Sequence, residues 1–235
     1  MCIRDRSCNA VTAQLEPFAE DLWTVSRPQK FWGLETGTRM TIVRLGDGGL
    51  FVHCPVAIDP KLRREVDALG PVRAVVAPSL FHHLYVGQWM QAYPEASVWA
   101  CPGLERKRSD LVWNGVLGDT PAEVWKADVE QAAFTARFEN EIVFFHPKSR
   151  TLVCADALLN LSQHPSRMTR AVARLMANTG PGKGYLERVA VRDYRLGRRQ
   201  VDRIAAWDID KITLAHGGQV AHDGRRVLLE AFAWL

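Results

Sequence analysis

The sequence predicts an α/β protein of one domain, in which helices cover sheets of apolar strand. Three observations carry this. Short β-like runs alternate with helical stretches, several of those runs are apolar at almost every position, and turn-forming residues stand between them. A strand that is apolar throughout is buried on both faces, so helices must close the sheets from outside.

The elements follow in order. "DLWTVSR" (21–27), "RMTIVRL" (39–45) and "GLFVHCP" (49–55) are β-like, and Gly46-Asp47-Gly48-Gly49 joins the last two as a hairpin. "IDPKLRREVDALG" (58–70) predicts a helix: Asp59 suits the N-cap, Pro60 the first turn and Gly70 the C-terminal cap. "VRAVVAP" (72–78) is a continuous apolar strand, followed by a helix through "YVGQWMQAY" (85–93) and a strand at "SVWAC" (97–101). Within 134–158 the pattern returns to strands, "EIVFF" and "RTLVCA", linked by the turn "HPKS". From Ser166 to about Asp208 the chain is helical, broken by a loop at "NTGPGKG"; "KITLA" and a last helix, "GRRVLLEAFAWL", close it.

Composition bounds the class. With 235 residues, 47% of them apolar and 24% charged, the chain can bury a sizeable core and is not a disordered protein. It has no internal repeat and no low-complexity linker, so we expect one domain over 8–235. The opening "MCIRDRS" lacks the apolar core of a secretory signal and reads as a non-native leader over 1–7. No apolar run approaches the ~18 residues of a membrane span, so no membrane is expected. A net charge of +4, dispersed along the chain, argues against nucleic acid. Cys54, Cys101 and Cys154 form no CxxC pair and no disulfide framework, which fits a reducing cytoplasm.

The chemistry gathers at strand ends. "GLFV" runs into His53-Cys54, "AVVAPSLF" into His82-His83, "TLVCA" into Asp156, and "ITLA" into His216-Gly217-Gly218. Ligands of open α/β sheets bind beyond the carboxyl ends of strands. If these ends are neighbours, groups of metal-ligand type meet there, because imidazole and carboxylate are common ligands of zinc, iron and manganese.

Each residue also has a plain structural use. Asp156 suits an N-cap for "ALLNL", His216 a turn before Gly-Gly, and His53 a satisfied core or edge histidine. His82 and His83 could bond loop carbonyls. His146 in "HPKS" and His222 beside Asp223-Gly224 read as solvated, and His164 as an ordinary loop residue. Cys54 and Cys154 read as small apolar groups, since sequence adjacency to His53 does not establish a nucleophile–base geometry. Trp89, Trp113, Trp125 and Trp207 read as core, whereas Trp32 in "QKFWGLETG" either lines a pocket mouth or covers a sheet edge. "RDYRLGRRQVDR" reads as a solvated helix face, and "GPGKG" lacks the spacing and the Ser or Thr of a P-loop.

"RMTIVRL", "APSLFHHLYVGQW", "SRTLVCADAL" and "LAHGG" together resemble the metallo-β-lactamase-like superfamily, and more narrowly a domain-of-unknown-function branch of it. The resemblance runs from about Leu22 onward and implies a four-layer αββα sandwich. Its signature loop, T-H-x-H-x-D-H, sets Ser79 at the threonine, His82 at the second histidine and Gly87 at the glycine that follows. Leu80, Leu84 and Tyr85 stand where the other ligands of that loop belong. The next metal histidine falls near Ala136 to Phe138, where there is none; Asp156 matches the bridging aspartate and His216 the late histidine. A dinuclear site needs more ligands than remain.

The resemblance therefore implies at most one ion, zinc, iron or manganese, on His82, Asp156 and His216. Asp156 and His83 are then the catalytic candidates, with His83 as acid–base group. The function implied is a divergent metallo-hydrolase acting on a small ester-type or phosphodiester substrate. The alternative is a metal-free, non-catalytic scaffold that binds a small molecule or a protein partner. Oligomeric state is left open.

Overall fold

The computed structural model describes residues 14–135, 140–178, 180–182, 184, 188–189 and 191–235. The leader expected at 1–7 and the histidine-free stretch 136–138 lie outside the described residues, as do parts of "NTGPGKG".

Two sheets carry the fold. The larger holds β1 (Glu16–Ala19), β2 (Leu22–Arg27), β5 (Thr38–Arg44), β6 (Leu50–His53), β7 (Val72–Ala77), β8 (Ser97–Ala100) and β9 (Gly115–Val116), in that spatial order. The smaller holds β10 (Glu130–Phe134), β11 (Glu141–His146), β12 (Thr151–Val153) and β13 (Lys211–Thr213). A hairpin of β3 (Lys30–Phe31) and β4 (Leu34–Glu35) forms its own small sheet. The helices are α1 (Pro60–Leu69), α2 (Val86–Ala92), α3 (Leu104–Lys107), α4 (Arg167–Leu175), α5 (Tyr194–Ala205) and α6 (Gly224–Ala231).

The pleat sorts the apolar strands into three cores. Along β6, Leu50 and Val52 pack with Leu62 and Val66 of α1 and Trp89 of α2, whereas Phe51 turns inward between the sheets. Along β11, Val143 and Phe145 pack with Val201 and Ile204 of α5 and Leu228 of α6, whereas Ile142 and Phe144 meet Phe51 from the other sheet. Each strand thus serves two cores, and the order helix, sheet, sheet, helix is the αββα sandwich. The middle layer is aromatic: Phe51 lies 5.3 Å from Trp125 and 5.1 Å from Phe144, between ring centroids. Truncating Phe51 to alanine would cost ~3–5 kcal/mol.

Local signals hold where they were read. The Asp59 carboxylate accepts from the amides of Lys61 and Leu62, at 2.9 and 2.8 Å, and caps α1. At the end of that helix Gly70 has φ +151, and a Cβ there would meet the Gly48 carbonyl oxygen at 2.4 Å. The hairpin is held by the Gly49 amide donating to the Asp47 carboxylate at 2.7 Å.

Several expectations change. Within the helical stretch from Ser166 the described residues form α4 and α5, several of those between the two lie outside the described residues, and the last helix ends at Ala231. The residues after Asp156 form no helix, so it is not a helix N-cap. His146 is buried, its Nδ1 bonded to Ser149 Oγ at 2.7 Å, because the turn folds back on itself. Trp89 and Trp125 are core, whereas Trp113 and Trp207 are only half-buried.

Pairing direction places the site. β6, β7, β8 and β9 are mutually parallel, and β12 runs parallel to β13. His53 and His82 therefore belong to one sheet, Asp156 and His216 to the other. The amide of Ile142, in β11, donates to the Pro78 carbonyl beyond β7 at 2.9 Å and ties the two sheets together at this edge.

Candidate metal centre

Each of the three residues is placed by a separate local device. Ser79, fully buried, accepts from the Phe81 amide at 3.3 Å and donates to Asp156 Oδ2 at 2.9 Å, which turns the loop after β7 toward the other sheet. His82 follows on that loop. Asp156 sits just past β12, where the amides of Ala155 and Asp156 donate to the two carboxylate oxygens of Glu141, at 2.6 and 2.8 Å. His216 leaves β13 by a turn through Gly217. There φ is +84 and a Cβ would lie 1.8 Å from the Asn160 carbonyl oxygen, so no other residue fits.

The three side chains converge. His82 Nε2 lies 3.2 Å from Asp156 Oδ1 and 3.2 Å from His216 Nε2, and His216 Nε2 lies 3.5 Å from Asp156 Oδ1. Atoms bound ~2.0–2.2 Å from one tetrahedral ion stand ~3.3–3.6 Å apart. The trio therefore has the spacing of three corners of such a site. Their side chains are 8%, 14% and 15% exposed, so the cluster is sheltered and still reachable from solvent. Two surface clefts, one beside α1 and one beside α6, do not include it.

The tautomer of His216 follows from its partner. Its Nδ1 stands 2.7 Å from the Gly37 carbonyl oxygen, which can only accept, so Nδ1 carries the proton and Nε2 presents a lone pair. Metal-binding histidines are commonly oriented by such a carbonyl. A lone pair, a second imidazole nitrogen and a carboxylate oxygen face one another here, an arrangement that needs a shared proton or a cation. The donor set fits a divalent ion.

Electrostatics sharpen the contrast with neighbouring groups. Burial opposes the charge on Asp156, yet His82 and His216 beside it hold its carboxyl well below the usual range. Burial, with His82 nearby, pushes His53 down to about 3. Burial, with Lys107 and Arg108, pushes His83 down to about 4. Burial and the charge of Asp156 push the Cys54 thiol up.

Of the residues singled out from sequence, His82, Asp156 and His216 come together. His83 does not join them: Arg108 Nη1 lies 3.1 Å from its Nδ1, and this guanidinium, itself paired with Asp110, claims the ring. His53 stays out as well, its Nε2 4.0 Å from Cys54 Sγ. Among the described residues no fourth His, Cys, Asp or Glu enters the cluster. Two supports escaped the sequence. Glu141 opens "EIVFF" and looks like an ordinary strand start, although it is 2% exposed. The Gly37 contact is a backbone carbonyl, and side-chain identity carries no sign of it.

The family of the domain of unknown function DUF4336 matches residues 19–181, well over half of the chain. No curated protein matches. Solved structures of the same fold cover 94% of this chain at low identity. A metallo-β-lactamase from Pontibacter korlensis is 10% identical at a TM-score of 0.63, with 99% of that chain covered. The FIM-1 metallo-β-lactamase from Pseudomonas aeruginosa, in a mono-zinc form, is 11% identical at 0.64, with 95% covered. The flavodiiron core Flv1 from Synechocystis is 11% identical at 0.63, with 60% of that longer chain covered. At such identities the likeness shows the fold alone. This chain belongs to the DUF4336 family, and it is built on the metallo-β-lactamase fold.

Proposed function

We propose that the protein is a divergent metallo-hydrolase: His82, Asp156 and His216 hold one zinc, iron or manganese ion, and the substrate is a small ester-type or phosphodiester molecule. The observation that carries this reading is the trio of donor atoms, 3.2–3.5 Å apart, drawn from the ends of strands in two different sheets. The chemistry that such an ion supplies when bound is polarisation of a substrate oxygen and acidification of water. The chain's own residues do the rest. Gly37 sets the tautomer of His216, Ser79 orients Asp156, and Glu141 braces the backbone on which Asp156 stands. His83, engaged at Nδ1 by Arg108, shapes the loop beside the trio and offers its other ring nitrogen for acid–base work. We place the protein in the cytoplasm, where the free thiols Cys54, Cys101 and Cys154 would stay reduced.

A second reading has an observation of its own. Asp156 already accepts from Ser79 and lies against both imidazoles, so the cluster is satisfied with a single shared proton and could serve a metal-free scaffold that binds a small molecule.

Metal content separates the two. The purified protein should carry near-stoichiometric zinc, iron or manganese, or take it up on incubation, and His82→Ala, Asp156→Ala and His216→Ala should each lose it while staying folded by circular dichroism. His83→Gln should keep it. A parent that binds none of the three metals sinks the hydrolase reading.

A further inference from the structure

The β3–β4 hairpin and α4 present apolar side chains to solvent. Trp32, at the hairpin tip, is 94% exposed and Phe31 47%; on α4, Met168 is 59%, Val172 37% and Leu175 80% exposed. Isolated apolar residues on a surface are ordinary, but a group of them marks an interaction site.

The backbone holds Trp32 out on purpose. Trp32 and Gly33 both have positive φ, +48 and +82, as the two tip residues of a type I′ turn do. A bulky residue in that region is strained, and among the described residues the ring gains a stack on Phe31, centroids 4.9 Å apart. The helix beside it has three faces. Thr169 and Ala173 are buried, Met168, Val172 and Leu175 form an exposed apolar stripe at helical spacing, and Arg167 and Arg174 are exposed on a basic face with the half-buried Arg170, whose guanidinium donates to the His164 and Pro165 carbonyls. "RMTRAVARL" contains no acid. Helix and hairpin are joined, since Thr169 Oγ1 donates to the Glu35 carbonyl at 2.6 Å. Lys30, exposed in the hairpin, adds a further cation.

We propose that this face docks the protein on an anionic lipid surface, with α4 lying along the headgroups and Trp32 inserted beside it. The charge pattern selects the occupant. An isologous contact with a second copy would set the arginine row against itself. An anionic leaflet pairs with the arginines while its acyl boundary receives the apolar stripe, as for interfacial amphipathic helices, and tryptophan favours that boundary. None of the described helices is long and apolar enough to cross a membrane; the contact proposed is peripheral, and it revises the expectation, read from the lack of a spanning run, that no membrane is involved. The proposal is independent of the metal reading.

The full chain is sedimented with vesicles of phosphatidylcholine alone and of phosphatidylcholine mixed with phosphatidylglycerol. Binding to the mixed vesicles, weakened by added salt, is expected. Trp32→Ala and Leu175→Glu should each weaken it about tenfold, and Arg174→Gln about fivefold. All three positions are exposed, and circular dichroism checks that the variants stay folded. Failure of the parent to bind mixed vesicles overturns the proposal. So does equal binding by Trp32→Ala and Leu175→Glu. A parent that is a dimer in solution, made monomeric by Leu175→Glu and indifferent to vesicles, overturns it in favour of a second copy.

Discussion

His53 ends one of two neighbouring parallel strands, His82 lies beyond the other, and the two have opposite surroundings. His53 is the last residue of β6, so the pleat turns it between the sheets, edge-on to Phe144 at 5.6 Å, and it is 1% exposed. His82 stands beyond Ala77, the end of β7, on a loop that crosses to the other sheet and reaches Asp156 and His216. Within a strand, pleat and register decide where a histidine points. On a loop, the braces decide, and Ser79 and Glu141 are the braces here. A strand-end histidine is therefore a candidate ligand only when the chain has already left the ladder.

The strongest way to break this comparison is to remove a brace. Glu141→Ala leaves two amides without their acceptor, at ~1–3 kcal/mol each. The variant should lose several kcal/mol in urea unfolding and release metal more readily, and Glu141→Gln, which keeps one acceptor oxygen, should fall between. Unchanged stability would mean that the loop holds itself.

His53 sharpens the other half. Its folded pKa lies near 3 against an ordinary 6.5. As pH falls through that window the unfolded chain takes up a proton that the folded chain refuses. Stability is thus full above ~6.5 and erodes toward ~3, by at most ~1.4 kcal/mol per pH unit from this group. His53→Leu should flatten the fall in urea midpoint between neutral and mildly acidic buffer. A parallel fall in parent and variant would show that His53 is not held neutral by burial.

Ser79→Ala gives the smallest effect. It removes one hydrogen bond to Asp156, with ~1 kcal/mol lost in unfolding and about tenfold weaker metal retention in chelator competition. An unaltered metal affinity would assign the orientation of Asp156 to Glu141 alone.

Much of this architecture was legible, for identifiable reasons. The cap at Asp59, the hairpin at Gly46 to Gly49 and the all-apolar strands are local, and neighbours in sequence fix them. The trio was legible because each member follows an apolar run whose end must lie at a sheet edge. Other features were not. His146 looked solvated, because a short turn gives no sign of closing over its own histidine. Asp156 looked equally suited to capping a helix, since both uses need a carboxylate just past a strand.

The chain's own order of residues settles which segments are strand or helix and which side chains end them, because those preferences act over a few residues. Packing alone settles which of those ends meet. His82 lies 74 residues from Asp156 and 134 from His216, and the carbonyl that orients His216 lies 179 residues away from it. Such pairs come within 3.2 Å only after the aromatic layer of Phe51, Trp125 and Phe144 has set one sheet against the other. The same packing buried His53 in that layer and handed His83 to Arg108, although in sequence both stood as near the site as His82.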